Sequence, residues 1–217
     1  MNTSTAMEGG ERERLSREMN HRLQNNVQWL AMLLEFQPAE VPAEATRFLN
    51  GVASRLRSLS AVFALRAASP GGIVTAAELL AAVVRNAGAT HGVSIDFECP
   101  PQAHRWQVAD GMTIAAALLL GEILSNAARH RFGPAAPRVS YAEADDGMRV
   151  RISNAVAPDA GFGAAWRTGR GVGLELADTM TQMKGGLSLD FIPGNGEVTA
   201  MVTLSKPAVE PAASPGA

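Results

Sequence analysis

Cysteine is nearly absent: Cys99 is the only one in 217 residues. A single thiol excludes an intramolecular disulfide and a multi-cysteine metal cage. Lysine is scarce as well. Lys184 and Lys206 are the only two, so arginine carries the rest of the positive charge. Long hydrophobic runs are missing. The longest purely apolar stretch, Ile114 to Leu120, falls far short of the ~20 residues of a membrane helix. The opening stretch from Met1 to Arg14 is polar and charged, without the apolar centre of a signal peptide. A net charge of -2 supplies no field that would draw the chain onto nucleic acid or an acidic membrane. Apolar residues are what the chain has in quantity, at 47% against 18% charged. That suffices for a core. The composition predicts a soluble, cytoplasmic, globular chain of one ordinary domain or two small ones.

The two ends, 1–10 and 206–217, read as disordered tails: the first carries Ser, Thr and paired Gly, the second Pro, Ala and Ser. From about Glu11 to Gln37 the apolar residues Leu15, Met19, Leu23, Val27, Leu30 and Leu34 recur in steps of three and four, which predicts a helix. A second periodic run follows Pro42, through Phe48, Val52, Leu56, Leu59 and Phe63, and stops before Pro70-Gly71-Gly72. Residues 11–68 therefore read as a helical hairpin. Two helices bury little, so pairing with a second copy into a dimeric four-helix bundle is the expected way to complete the core.

Residues 73–205 follow a different pattern. Thr75-x-x-Glu78 is a capping box that opens a helix ending near Gly88. Val93, Ile95 and Phe97 alternate as a strand. Ala109 to His130 is an Ala/Leu-rich helix, with Asp110 as a possible cap. Val139 to Ala144 and Met148 to Ser153 flank a hairpin turn at Asp145-Asp146-Gly147. A Gly-rich loop leads to a helix over about Val172 to Lys184. A last hairpin turns through Pro193-Gly194-Asn195-Gly196. The fold class expected is α+β: a helical hairpin followed by an α/β sandwich, its largely antiparallel sheet covered by helices on one face.

His21 is the first residue with chemistry. Arg14, Glu18, His21, Asn25 and Gln28 share one side of the first helix, and the leucine stripe lies opposite, with His21 and Leu23 about 200° apart. His21 is therefore expected in solvent on the flank of the bundle. A neutral imidazole is a nitrogen nucleophile and can accept a phosphoryl group. A solvent-facing histidine with no chemistry fits position alone just as well.

The string around it is more specific. Glu18-Met19-Asn20-His21-Arg22-Leu23-Gln24-Asn25-Asn26-Val27-Gln28, then Leu33-Leu34-Glu35-Phe36-Gln37, resembles the phosphoacceptor helix of a bacterial two-component histidine kinase subfamily with the pattern H-R-x-x-N-N-L-Q. Gly121-Glu122-Ile123-Leu124-Ser125-Asn126-Ala127-Ala128-Arg129-His130 resembles the N box of that family's ATP-binding domain of Bergerat type. Gly169-Arg170-Gly171-Val172-Gly173-Leu174 resembles the glycine box after its ATP lid, where a helix N-terminus meets phosphates. The resemblance covers about residues 11–205. It implies a phosphorylated His21 flanked by Arg22 and Asn25. It also implies an ATP site drawing on Glu122, Asn126, His130, Asn154, Gly169, Gly171 and Gly173, with Mg at Asn126 if ATP binds. Receiver domains of response regulators are the implied partners, contacting the flank of His21 and second-helix residues such as Arg55 and Ser58.

The chain departs from the family at the adenine pocket. Where the family's strand runs into D-x-G-x-G, this one runs into Asn154-Ala155-Val156-Ala157-Pro158. An amide oxygen accepts more weakly than a carboxylate, and Val and Pro add bulk where glycines are expected. A literal D-x-G-x-G occurs later, at Asp159 to Gly163, but would leave almost no lid before Gly169. Gly121 replaces the first N-box Asn, and the family's phosphate-touching Thr aligns with either Thr199 or Thr203. The reading expected is a sensorless histidine phosphotransferase with a degenerate ATP site. The alternatives are an active ATP-dependent kinase with an atypical adenine pocket and a non-catalytic regulator that binds a partner.

Overall fold

Two long antiparallel helices open the chain, α1 over Thr3–Glu35 and α2 over Ala43–Ala68. A computed structural model describes residues 3–36, 41–100, 106–144, 147–157, 179, 182, 186–194 and 196–205. The pairing of α1 and α2 is antiparallel because Ser60 Oγ donates to the Gln24 carbonyl, while Gly71, beyond the end of α2, donates its N–H to Glu13. The first helix begins at Thr3 rather than near Glu11, so the expected loose segment 1–10 gives way to helix. No proline interrupts that stretch, and Met7, Glu8 and Glu11 are good helix formers that carry the turn through Gly9-Gly10.

The α1 face turned to α2 is a regular seam. Asn20 and Ala31 are buried, and Gln24, Val27 and Leu34 are half-buried, in steps of four and three. The predicted leucine stripe only partly coincides with this seam. Leu15, Met19 and Leu30 remain 54%, 59% and 52% exposed. They occupy a second face of α1, rotated by about 100° from the first.

A turn at Pro70–Gly72 links the halves, with Gly71 and Gly72 at φ of 64° and 71°. Only glycine takes two consecutive left-handed positions without strain. Strand β1 (Val74–Thr75) follows, then α3 (Ala76–His91), whose predicted capping box is present: Glu78 N–H donates to Thr75 Oγ1, and Thr75 N–H donates to the Glu78 carboxylate. Helix α3 runs past Gly88 and stops at Gly92, the residue in the left-handed conformation. Next come β2 (Asp96–Glu98), β3 (Gln107–Val108) and α4 (Asp110–Arg129). Ala109, not Asp110, is the N-cap of α4. Strands β4 (Arg138–Ala144), β5 (Gly147–Ala155), β6 (Leu187–Pro193) and β7 (Glu197–Ser205) complete the described chain. The predicted helix over 172–184 lies outside the described residues except for Thr179 and Gln182, both helical. The predicted tail 206–217 also lies outside them.

The five-stranded sheet has the order β2-β4-β5-β7-β6, antiparallel except for β2 beside β4. A two-stranded β1–β3 ladder sits apart. Strand alternation sends Met148, Val150 and Ile152 of β5 and Ala200, Val202 and Leu204 of β7 into one core with Leu79, Leu80, Leu119, Leu120 and Leu124 of the helices. The described residues thus form the expected α+β arrangement of helical hairpin and sheet-plus-helix sandwich. Helix α4 is long and apolar enough by composition to cross a membrane, yet most of it is buried within the protein, as suits a core helix.

Leu120 is fully buried in that core. Leu120→Ala is expected to lower unfolding free energy by about 2–5 kcal/mol, read as a lower urea midpoint. A change within ~0.5 kcal/mol would show that α4 does not carry the core.

Candidate functional site

His21 lies in the middle of α1 with its side chain in solvent, on the flank beside the α2-facing seam. Arg22 and Asn25 are exposed next to it. Arg22 is held by Glu18 one turn back, an exposed pair that contributes little stability. Gln24 and Gln28, one and two turns on, line a cleft of about 340 Å³, whose other walls include Arg57 of α2 and Asn86 of α3. The cleft is therefore built by both halves of the chain.

Glu122 and Asn126 share one side of α4, as their four-residue spacing requires. Glu122 points at the hairpin. Arg55 Nε of α2 donates to its Oε1 at 2.6 Å, and the two side chains are 19% and 12% exposed. Asn86 Nδ2 donates to Ser58 Oγ at 3.0 Å and reaches the Ser54 carbonyl at 3.5 Å. Gly121 lies so close to α2 that an added Cβ would stand 3.1 Å from Ser58 Oγ. Glycine at this place lets α4 approach α2. Arg55 and Ser58, expected to meet a receiver, are thus engaged by the second half.

Asn126 is half-buried one turn further along α4, and its carbonyl accepts the N–H of His130. His130 ends the helix with an exposed side chain. Asn154 is only 5% exposed, near the end of β5, on the same side as Val150 and Ile152. Its Nδ2 donates to the neighbouring Ala155 carbonyl at 3.2 Å. Val156 is buried and donates its N–H to Gly196. Thr199 shares a hydrogen bond with Ser153 on the opposite sheet face, which turns it away from α4. Gly169, Gly171, Gly173, Pro158 and the Asp159–Gly163 segment lie outside the described residues. Among the described residues, no group of three His, Cys, Asp or Glu side chains is placed to hold a metal.

Besides the Arg55–Glu122 pair, two contacts went unread in the sequence. One is the Asn86–Ser58 bond. The other is a 2.6 Å hydrogen bond between His91 Nε2 of α3 and Ser125 Oγ of α4. The signal available for the first was the run of small residues Ser54, Ser58 and Gly121, which permits close helix packing.

A family model described as histidine kinase matches residues 18–90, from the turn before His21 through most of α3. Over those residues, about a third of the chain, the sequence is similar to histidine kinases. Solved kinases share its fold. The blue-light activated histidine kinase of Erythrobacter litoralis EL346 aligns with a TM-score of 0.59 at 13% identity, over 87% of this chain and 59% of that one. This chain therefore spans little more than half of that full-length kinase. The histidine kinase domain of the same protein aligns at 0.55 and 13% identity, over 83% of this chain and 95% of that one. The Acinetobacter baumannii histidine kinase AdeS aligns at 0.50 and 12% identity, over 87% and 95%. Comparison with curated protein sequences found no match.

Partial burial, and then the charge of Arg129, hold both His91 and His130 below the ordinary imidazole pKa of 6.5. The folded state therefore favours the neutral rings. Their contribution is present above pH 6.5 and is lost as the pH falls through the lowered folded values. The urea midpoint should accordingly drop between pH 7.5 and 5.5, and His91→Gln should flatten part of that drop. An unchanged pH dependence in the variant would remove His91 from the account.

Proposed function

We propose that this chain is a phosphorelay component in which His21 exchanges a phosphoryl group with the aspartate of a receiver domain, without drawing on ATP. The likeness of residues 18–90 to histidine kinases carries the general expectation of response-regulator partners and of dimerisation. The specific reading rests on one contrast. His21 stands open to solvent, while two positions expected to serve a nucleotide are altered. Glu122 is taken by Arg55, and a buried valine, Val156, fills a glycine place.

In the exchange, one imidazole nitrogen of His21 attacks the phosphorus of the acyl phosphate. A nitrogen–phosphorus bond forms and the phosphorus–oxygen bond to aspartate breaks. The aspartate leaves as a carboxylate, and the imidazole proton passes to solvent. Positioning by the bundle face is all the reaction asks of this chain. The exposed face with Leu15, Met19 and Leu30 supports a homodimer, because a second copy would bury it and complete a four-helix bundle. The cytoplasm, where receivers are found, is the proposed location.

A second reading is an ATP-dependent kinase with an atypical pocket. Asn126 and His130 favour it, since both match the N-box pattern in sequence. A non-catalytic regulator is the third.

Incubation with Mg and γ-labelled ATP, and separately with a phosphorylated receiver, separates the three. Label from the receiver alone, lost in His21→Ala, is the expected result. Label from ATP would establish the kinase instead, and no label from either source would leave the regulator.

A further inference from the structure

Helix α4 meets the hairpin at a defined level. Ser60 of α2 stands level with Gln24 of α1, because its hydroxyl bonds that carbonyl. Arg55 lies five residues from Ser60 in one direction, and His21 lies three from Gln24 in the other. The Arg55–Glu122 pair is therefore about 12 Å from His21 along the bundle, on the side of the α1–α2 connection.

This docking rests on the largely buried Arg55–Glu122 pair, the Asn86–Ser58 bond, the close approach of Gly121 to Ser58, and the packing of Val62 into the common core. Only the first carries charge. Separating it would leave two ions in a partly dehydrated seam unless the domain moves away and lets water in. The pair is therefore stable docked or fully open, and poor in between. The docked arrangement covers the outer side of α2 and places Asn86 in the wall of the cleft running from Gln24 and Gln28.

We propose that Arg55–Glu122 is a latch. It keeps the second domain on α2, where that domain obstructs the approach of a receiver to the flank of His21. Opening the latch exposes α2 and speeds phosphoryl exchange. The obstruction rests on the proposed function; the latch itself does not. Glu122 thus has a role in this chain that needs no nucleotide.

The test uses the full chain, with Arg55→Ala, Glu122→Gln and the charge-exchanged pair Arg55→Glu with Glu122→Arg. Small-angle scattering reads the opening, and a phosphorylated receiver reads the initial rate of labelling at His21. Each single variant should have a larger radius of gyration and label roughly fivefold faster or more. The exchanged pair should return both values toward those of the original protein. A single variant with an unchanged radius overturns the latch. An enlarged radius with an unchanged or slower rate overturns the obstruction. If the original protein takes no label at all, phosphotransfer fails and the obstruction falls with it, and the radius alone then decides the latch.

Discussion

Helix α2 is packed on both of its sides, and the rest of the molecule depends on that double packing. One side forms a seam with α1 and so fixes which way His21 points. The other receives α3 and α4 through Ser58, Arg55 and the bare backbone at Gly121. A helix in this position must satisfy two neighbours with one sequence. It does so by keeping small residues, Ala53, Ser54 and Ser58, toward close contacts and larger apolar ones elsewhere. Any motion of the second domain changes what α2 can offer to a partner.

The two chemical ends of the chain differ in the same terms. On α1, none of the described residues covers the polar flank, so the imidazole is open to meet another protein. In the second half, the side chains near the end of β5 and along α4 find partners inside the protein. A carboxylate that holds a guanidinium at 2.6 Å must first give it up to serve a bound ion. That cost weighs on any nucleotide at this site and weighs nothing on exchange at His21.

Much of this was legible in the sequence. The helical hairpin, the capping box of Thr75 and Glu78, the hairpins of the sheet and the solvent position of His21 all follow from local periodicity and turn chemistry. The errors were local. Gly88 looked like a helix stop, but the helix continues one turn because Gly92 supplies the left-handed residue. Asp110 looked like a cap, but the backbone turns one residue earlier. The opening segment looked loose because of its glycines, yet helix formers flank them. The partner of Glu122 was not legible at all. Arg55 is 67 residues away, and nothing local to either residue announces the other. Tertiary ion pairs join sequence positions that share no pattern, whereas caps and stripes are written within a single turn.

The central claim is that His21 itself carries the phosphoryl group. Its most direct test is mass spectrometry of the protein after exposure to a phosphorylated receiver, under neutral conditions that preserve phosphohistidine. Trypsin releases the short segment from Glu18 to Arg22, in which His21 is the only histidine. The account predicts one acid-labile phosphoryl group on that segment and none elsewhere. Phosphate found only on another residue, or absent while the receiver retains its own, would contradict it.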